Sequence, residues 1–122
     1  MFGTIFMLTE KPWGHYKILY ENAPEFKVKE LVVWPRESLS LQRHRSRSEQ
    51  WTVVMGSPKV LLGNNRDLLK TIQLERHDMI DIPVGHWHQL RNDTNYIVKV
   101  LEIQYGENCD ELDIERINRE KP

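Results

Sequence analysis

Hydrophobic and polar positions alternate along much of the chain, in runs short enough to be single β-strands. Residues 26–34 begin with the alternation Phe-Lys-Val-Lys and end in a β-branched run, and residues 96–104 form a long apolar-rich segment. Shorter runs of the same character lie at residues 50–55, 59–62, 68–74 and 79–82. Gly, Pro and Asn turn residues separate them, which is typical of an antiparallel sandwich or barrel. The pattern therefore predicts an all-β protein.

The two ends of the chain differ from this pattern. Residues 110–117 start with Asp and Glu, which suits a helix N-terminus, so they predict either a short helix or a turn followed by an edge segment. Residues 1–8 are apolar but lack a positively charged start and a small-residue cleavage site, so no signal peptide is predicted. No stretch approaches the roughly 18 apolar residues of a membrane helix. We expect a cytoplasmic protein with no membrane partner.

Length and composition fit one compact domain over residues 1–122. Hydrophobic residues make up 39% and charged residues 29%, as in ordinary globular proteins. The net charge of −1 lacks the basic excess that non-specific nucleic-acid binding requires, so no nucleic-acid partner is expected. The one cysteine, Cys109, cannot form an internal disulfide, and its acidic neighbours disfavour a thiolate, so we expect it to be inert.

Polar side chains occupy one face of the segment at residues 40–44. Side chains alternate along a strand, so Ser40, Gln42 and His44 would point to the same side and Arg43 to the other. A face of Ser, Gln and His is unsuited to an apolar core and is typical of a polar pocket. Amide and imidazole groups are metal donors, so Gln42 and His44 are candidate ligands.

The following strand adds an acidic group. After a bend predicted at residues 46–48, Glu49 falls on the same face as Trp51 and Val53. A carboxylate on this apolar side would be costly to bury alone, and a cation would stabilise it. Glu49 is thus a third candidate ligand, and the alternative is a solvated charge at a strand edge.

A second polar segment follows Pro83 and Gly85, which predict a tight turn. The strand after this turn is predicted to carry His86 and His88 on one face. The ligand set for a divalent cation is then Gln42, His44, Glu49 and His88, with positions left open for water or substrate. These donors do not distinguish zinc from manganese, iron, cobalt or nickel. The alternative for each histidine is a structural residue that makes ordinary hydrogen bonds.

The spacing of these residues resembles the two motifs of the cupin superfamily. The motifs are Gln42-x-His44-x4-Glu49-x6-Gly56 and Pro83-x-Gly85-x2-His88-x3-Asn92. Over residues 10–117 the chain is most similar to type II mannose-6-phosphate isomerase. The segments that carry this likeness are Lys11-Pro12-Trp13-Gly14, Leu39-Ser40-Leu41-Gln42, Arg47-x-Glu49-x-Trp51, Ile82-Pro83-x-Gly85-x-Trp87-His88 and Glu102-Ile103-Gln104-x-Gly106-Glu107.

The resemblance implies a double-stranded β-helix, the jelly-roll barrel of cupins, with a divalent metal in its mouth. It also implies interconversion of mannose 6-phosphate and fructose 6-phosphate. In this family the domain usually forms the C-terminal part of bifunctional mannose-1-phosphate guanylyltransferase/mannose-6-phosphate isomerase. The glycine-rich nucleotide-binding signature of the first activity is absent from the sequence, so we expect a stand-alone isomerase. Cupins often pair through edge strands, which implies a homodimer.

The implied reaction moves a proton between C1 and C2 of the sugar through an enediol. A divalent metal would polarise the substrate oxygens as a Lewis acid. A general base must lie within hydrogen-bond reach of the transferred proton. Glu49 and His86 are the candidates, and the sequence does not choose between them.

The phosphosugar substrate also requires cations. Arg47 matches the family's arginine and is the leading candidate, as a catalytic and phosphate-binding residue, because an arginine fork binds phosphate through two hydrogen bonds. Lys27 and Lys29 match family positions and could line the mouth of the barrel. The alternative for all three is a solvated charge on a strand. Trp87 is a candidate platform for the sugar ring, although such tryptophans more often belong to a core or an interface.

Two other functions stay open. One is a non-catalytic sugar- or metabolite-binding cupin, because a fold can outlive its chemistry. The chain has Arg45, Ser46 and Gln50 at positions where the isomerase family usually has histidine, which favours this alternative. The other is a cupin isomerase or epimerase that acts on nucleotide-linked sugars.

Overall fold

A computed structural model describes residues 7–22, 25–106 and 112–117 of the chain. Within these ranges the regular elements are all strands: β1 (Met7–Lys11), β2 (Gly14–Asn22), β3 (Phe26–Val33), β4 (Leu41–Arg43), β5 (Arg47–Met55), β6 (Lys59–Gly63), β7 (Lys70–Gln73), β8 (Met79–Ile82), β9 (Trp87–Arg91), β10 (Val98–Gly106) and β11 (Glu115–Ile117). This part of the chain contains no helix long and apolar enough to cross a membrane.

The strands pair in two antiparallel sheets. Six strands follow the order β1-β2-β3-β10-β5-β8, and five follow the order β11-β4-β9-β6-β7. Side chains from both sheets meet in one core, whose buried members are Leu31, Val33, Leu39, Trp51, Val53, Val60, Leu74, Ile82, Leu90, Val98 and Val100. Burial of apolar surface contributes about 25 cal/mol per Å², so this shared core is the main attraction between the sheets. The prediction of an all-β protein is confirmed.

The interior changes from apolar to polar along three adjacent strands. On β3, β10 and β5 the inward side chains are at first apolar, namely Val33 and Leu31, Val98 and Val100, and Val53 and Trp51. Further along the same faces they are Lys29 and Lys27, Glu102 and Gln104, and Glu49 and Arg47, all of them buried. The register sets Lys29 opposite Glu102. It likewise sets Gln104 opposite Glu49, so one end of the barrel is polar inside.

The strands predicted at residues 26–34, 50–55, 59–62, 68–74, 79–82 and 96–104 correspond to β3, β5, β6, β7, β8 and β10. The largest disagreement is at the start of β5. This strand begins at Arg47, so the bend lies at residues 45–46 rather than at 46–48. The reason is that Arg47 pairs with Gly106 in the ladder between β5 and β10. The hairpin of β1 and β2 has no counterpart among the predicted strands.

The C-terminal segment is a turn followed by an edge strand. The helix prediction is wrong for residues 112–117, because β11 pairs with β4 and sets Ile117 opposite Leu41. This pairing confirms the alternative of a turn plus an edge segment. Residues 110–111 of the predicted segment lie outside the described residues, and so does Cys109.

Asn92 joins the end of β9 to the end of β3. Its side chain is fully buried, and Nδ2 lies within hydrogen-bond distance of the backbone oxygens of Val33 (3.1 Å), Trp34 (3.1 Å) and Tyr96 (2.7 Å). Its Oδ1 accepts hydrogen bonds from the amide and the hydroxyl of Thr94, at 3.0 Å and 2.6 Å. The amide group therefore holds several loop carbonyls that a carboxylate would repel.

We predict that Asn92→Asp lowers the free energy of unfolding by about 3 kcal/mol or more, because a buried charge would face backbone oxygens. The matched control is Asn95→Asp, whose exposed side-chain oxygen already accepts a hydrogen bond from Arg36 Nε at 3.0 Å. We expect that control to stay within about 0.5 kcal/mol of the wild type. Urea unfolding followed by tryptophan fluorescence measures both. Equal stability of the two variants would contradict this account of Asn92.

Candidate metal centre

His44, Glu49 and His88 meet inside the polar end of the barrel. His44 Nε2 lies 3.2 Å from Glu49 Oε2, and His88 Nε2 lies 3.4 Å from Glu49 Oε1. The centroids of the two imidazole rings are 5.1 Å apart. Each residue is 3% exposed, and one donor atom from each lies within 4.8 Å of the other two. A single cation could therefore contact all three side chains.

Both sheets contribute to this cluster. Glu49 lies on β5 of the six-stranded sheet, whereas His88 lies on β9 of the five-stranded sheet. His44 directly follows β4, which pairs with β9 so that Gln42 is opposite His88. The His44 carbonyl accepts a hydrogen bond from the amide of Gly85 at 2.8 Å, and Gly85 has a φ of 78°. The predicted turn at Gly85 thus fixes the end of β4 next to the start of β9.

Backbone carbonyls orient the two imidazole rings. His44 Nδ1 donates to the carbonyl oxygen of Asp113 at 2.6 Å, and His88 Nδ1 donates to that of His86 at 2.9 Å. The Asp113 carboxylate also accepts hydrogen bonds from the amides of the two residues after His44, at 3.1 Å and 3.0 Å. A carbonyl can only accept, so each Nδ1 carries a proton and each Nε2 is directed towards Glu49. This is the arrangement that metal-binding histidines usually have.

An independent observation, two unpaired buried polar atoms, supports a cation at this cluster. Glu49 Oε1 and His88 Nε2 are buried, face each other and have no hydrogen-bond partner among the described residues. Buried polar atoms are nearly always paired, because an unpaired one loses its hydration without compensation. A divalent cation between these atoms would use a lone pair of each. Carboxylate and imidazole donors suit zinc as well as manganese, iron, cobalt and nickel.

Arg47 lies against the same cluster. Its Nε donates to Glu49 Oε2 at 3.1 Å, and its Nη2 lies 3.2 Å from His44 Nε2. Its side chain is 4% exposed. The guanidinium therefore supplies part of the positive charge that makes burial of Glu49 tolerable. A cation at the cluster would share these partners with Arg47.

Burial and neighbouring charges set the protonation states. Burial lowers the pKa of His44 to about 4, against the opposing attraction of Glu49, so this ring is neutral at neutral pH. Burial alone would raise the pKa of Glu49, but the polar contact and charge of His88, with the charges of His44 and Arg47, hold that pKa well below its usual range. Burial would lower the pKa of His88, but Glu49 outweighs it and raises that pKa. A cation that takes His88 Nε2 releases this proton, so metal affinity falls as pH falls.

A cavity of about 250 Å³ reaches Glu49 of the cluster, whereas His44 and His88 are not among the described residues that line it. Its polar lining consists of Lys11, Lys29, Ser40, Gln42, Arg47, Glu49, Glu102 and Arg116. Trp13 and Tyr16 form part of its apolar wall. Lys29 is buried, and its Nζ lies 4.2 Å from the centroid of the Tyr16 ring. The cavity is thus small, polar and rich in cations.

Gln42 lines the same cavity as Glu49. Its side chain lines the cavity together with Ser40, and its Nε2 donates to Ser40 Oγ at 3.0 Å. This hydrogen bond leaves the side-chain oxygen of Gln42 as the atom that a cation would use. Its role as a fourth ligand stays a prediction.

The structure does not bring three of the other candidates to the cavity. His86 lies in the turn before β9, because its amide bonds to the Pro83 carbonyl at 3.1 Å, so the prediction of a strand that starts at His86 is wrong. Trp87 points to the opposite face from His88, with the Arg43 guanidinium 4.9 Å from its ring centroid. It lines a separate outer groove, so its proposed stacking on a sugar in the cavity is not supported.

Lys27 is the third of these candidates. Its side chain is buried rather than placed at the mouth of the barrel, and its Nζ lies 3.2 Å from a carboxylate oxygen of Glu21. It is absent from the described residues that line the cavity. Lys29, two positions along the same strand, does line it.

Glu102 is a cavity residue to which the sequence analysis assigns no role. It is 5% exposed, its Oε2 accepts a hydrogen bond from Trp51 Nε1 at 2.9 Å, and its Oε1 accepts one from Gln104 Nε2 at 2.6 Å. The available signal is parity, because Glu102 and Gln104 continue the inward face of Val98 and Val100. As for Glu49, a carboxylate on the inward face of a strand is costly to bury alone and therefore indicates a compensated polar site.

The two facing antiparallel sheets, with a histidine–carboxylate cluster between them, define a cupin fold with a candidate metal centre. Residues 4–119 match the family model described as mannose-6-phosphate isomerase C-terminal, and the chain belongs to this family. The predicted resemblance over residues 10–117 is thereby confirmed.

Proteins with similar sequences are much longer than this chain. Alginate biosynthesis protein AlgA of Pseudomonas putida is 38% identical over 106 residues, and mannose-1-phosphate guanylyltransferase 2 of Escherichia coli O157:H7 is 35% identical over 106 residues. Each alignment covers 87% of this chain and 21% of the relative. The chain thus spans about a fifth of the length of these relatives.

Solved structures with low sequence identity share the fold. The capsular polysaccharide assembling protein CapF of Staphylococcus aureus has a TM-score of 0.83 at 14% identity, over 95% of this chain and 35% of CapF. An oxalate decarboxylase of Lactobacillus farciminis has a TM-score of 0.78 at 19% identity, over 92% of this chain and 33% of the decarboxylase. These likenesses support the cupin fold.

We predict that His88→Ala abolishes stoichiometric binding of a divalent metal, because it removes a donor atom from the cluster. The matched control, His86→Ala, removes an imidazole outside the cavity and keeps the carbonyl that orients His88, so we expect it to retain the metal. Elemental analysis after dialysis measures the bound metal, and circular dichroism checks that both variants are folded. Equal metal content in the two variants would exclude His88 as a ligand.

Proposed function

We propose that this chain is a metal-dependent phosphosugar isomerase that interconverts mannose 6-phosphate and fructose 6-phosphate. The observation that carries the proposal is the buried cluster of His44, Glu49 and His88, with its unpaired Glu49 Oε1 and His88 Nε2. Glu49 also lines a cation-rich cavity. Membership of the mannose-6-phosphate isomerase C-terminal family supports the choice of substrate.

The size of the cavity supports a small substrate. Its volume of about 250 Å³ lies just below the roughly 300–1,000 Å³ typical of small-molecule sites. A hexose phosphate fits such a space better than a nucleotide-linked sugar, which carries a base, a ribose and a second phosphate. The epimerase alternative is therefore less favoured than the isomerase.

In this proposal His44, Glu49 and His88 hold the metal, with the side-chain oxygen of Gln42 as a fourth donor. When bound, the metal supplies Lewis-acid polarisation of the sugar's carbonyl and hydroxyl oxygens. Arg47 holds Glu49 in orientation through the bond from its Nε to Oε2. Glu49 is then committed to the cluster.

The phosphate of the substrate requires cations that are not already committed to the cluster. Arg47 is bonded to Glu49 and buried, which argues against its assignment as the phosphate ligand. Lys11 and Arg116 line the same cavity and are exposed. We therefore assign the phosphate to the rim between these two residues, with the sugar directed inwards. Guanidinium and ammonium groups both bind phosphate through charge-assisted hydrogen bonds.

The homodimer and the cytoplasmic location are also proposals. β1 lies at the edge of the six-stranded sheet, where Met7 is 73% and Leu8 is 47% exposed. An edge strand that starts with two exposed apolar side chains offers unpaired backbone groups to a second copy of the chain. We propose that two copies pair through this edge.

We expect the metal-loaded chain to convert mannose 6-phosphate to fructose 6-phosphate in a coupled assay. A chelator should abolish turnover, and re-addition of the metal should restore it. His88→Ala should lose at least about 100-fold in kcat/KM, whereas His86→Ala should stay near the wild type, because only the first residue holds the metal. Metal-loaded, folded protein that binds mannose 6-phosphate without turnover would contradict the proposal and favour a non-catalytic binding module.

A further inference from the structure

Among the described residues, two carboxylates line the cavity, Glu49 and Glu102. They differ in their contacts and so in their suitability as a proton acceptor. Glu49 directs both oxygens at groups of the cluster and accepts a hydrogen bond from Arg47 through Oε2. Arg47 Nε lies 3.1 Å and His44 Nε2 lies 3.2 Å from Oε2, while Oε1 faces His88 Nε2 at 3.4 Å. A carboxylate held in this way is poorly placed to take a proton from one sugar carbon and return it to the next. Glu49 therefore fits a ligand better than a base.

Glu102 has the opposite character. It lines the same cavity, and each of its oxygens accepts one hydrogen bond, from Trp51 Nε1 at 2.9 Å and from Gln104 Nε2 at 2.6 Å. A carboxylate oxygen has two lone pairs, so each oxygen keeps one for a further proton. The two donors fix the plane of the carboxylate on β10, the strand between β3 and β5. Such a fixed group needs little reorganisation when it reacts.

The surroundings of Glu102 suit proton transfer near neutral pH. Burial, together with the nearby charge of Glu49, raises the pKa of Glu102 to about 6, and Lys29 limits the increase. A general base is most effective when its pKa lies near the working pH. Lys29 is opposite Glu102 in the register of β10 and β3 and lines the same cavity, so it balances the charge of the carboxylate.

We propose that Glu102 is the catalytic base of this site, and that it replaces both Glu49 and His86 in that role. The assignment rests on the proposed isomerase function. Its basis is the placement of a buried, doubly hydrogen-bonded carboxylate in the cavity, near a cluster whose own carboxylate faces Arg47, His44 and His88. His86 lies in the turn before β9 and is not among the described residues that line the cavity.

The proposed step conserves all atoms and electrons. The Glu102 carboxylate takes the proton from C2 of mannose 6-phosphate, and the C2–H electron pair forms the C1–C2 double bond as the carbonyl pair moves to O1. The resulting enediolate carries its negative charge on O1, which takes the proton from O2. The electron pair on O2 then forms the C2 carbonyl. Glu102 returns its proton to C1, which gives fructose 6-phosphate and the original carboxylate. No oxidant or other co-reactant is needed.

The test compares Glu102→Gln with Glu30→Gln, both as metal-loaded full chains. Glu30 lies on β3, and its side chain alternates with the inward Lys29 and Leu31, so its substitution leaves the cavity unchanged. We expect Glu102→Gln to lower kcat by roughly 1,000-fold, within the range for loss of a general base, with KM changed by less than about threefold. Incorporation of deuterium from D2O at C1 and C2 of the sugar should fall with kcat. Metal content should equal that of the wild type.

The possible failures can be told apart. An active wild type whose Glu102→Gln variant retains kcat within about threefold would overturn the assignment of Glu102 alone. A metal-loaded wild type with neither turnover nor deuterium incorporation would overturn the proposed function and this assignment with it. If Glu102→Gln loses its fold or its metal, Glu102→Asp is the second test of the assignment. It keeps a carboxylate but shortens the side chain by one methylene. A loss of at least about tenfold in kcat, with metal intact, is expected, and unchanged kcat would contradict the proposal.

Discussion

The structure depends on how one buried carboxylate is compensated. Glu49 is 3% exposed, and an uncompensated charge at that depth would oppose folding by several kcal/mol. Its positive partners are Arg47 on the same strand and His88 on the opposite sheet. The residues that compensate the buried charge of Glu49 therefore also form the candidate site. Stability and chemistry cannot be separated at this end of the molecule.

The apolar half of the barrel offsets the energetic cost of burying these polar groups. On β3, β5 and β10 the inward faces carry valine, leucine and tryptophan before they carry charge, so one half supplies burial energy and the other holds polar groups. Trp51 lies at the boundary, because its ring belongs to the core while its Nε1 donates to Glu102. The short segment around Asp113 closes the other side, where its carbonyl fixes the ring of His44.

Local parity predicted much of this arrangement, and its failures have physical causes. The alternation of apolar and polar residues identified β3, β5 and β10, and it placed Glu49 on the inward face of β5. It missed the hairpin of β1 and β2, whose largely exposed or half-buried strands show no clear buried face. Parity also cannot say where a strand begins, which is why His86 was expected beside His88. Parity also places Glu102 on the inward face of β10, but it does not show the hydrogen bond from Trp51, which lies 51 residues away in the sequence.

The central claim is that the two imidazoles and Glu49 surround one ion. Anomalous diffraction at the zinc edge, from crystals grown with zinc, tests it most directly. The account predicts a single strong peak about 2.0–2.2 Å from His44 Nε2, His88 Nε2 and an oxygen of Glu49. Zinc bound elsewhere, with Glu49 still held only by Arg47 and His88, would contradict it.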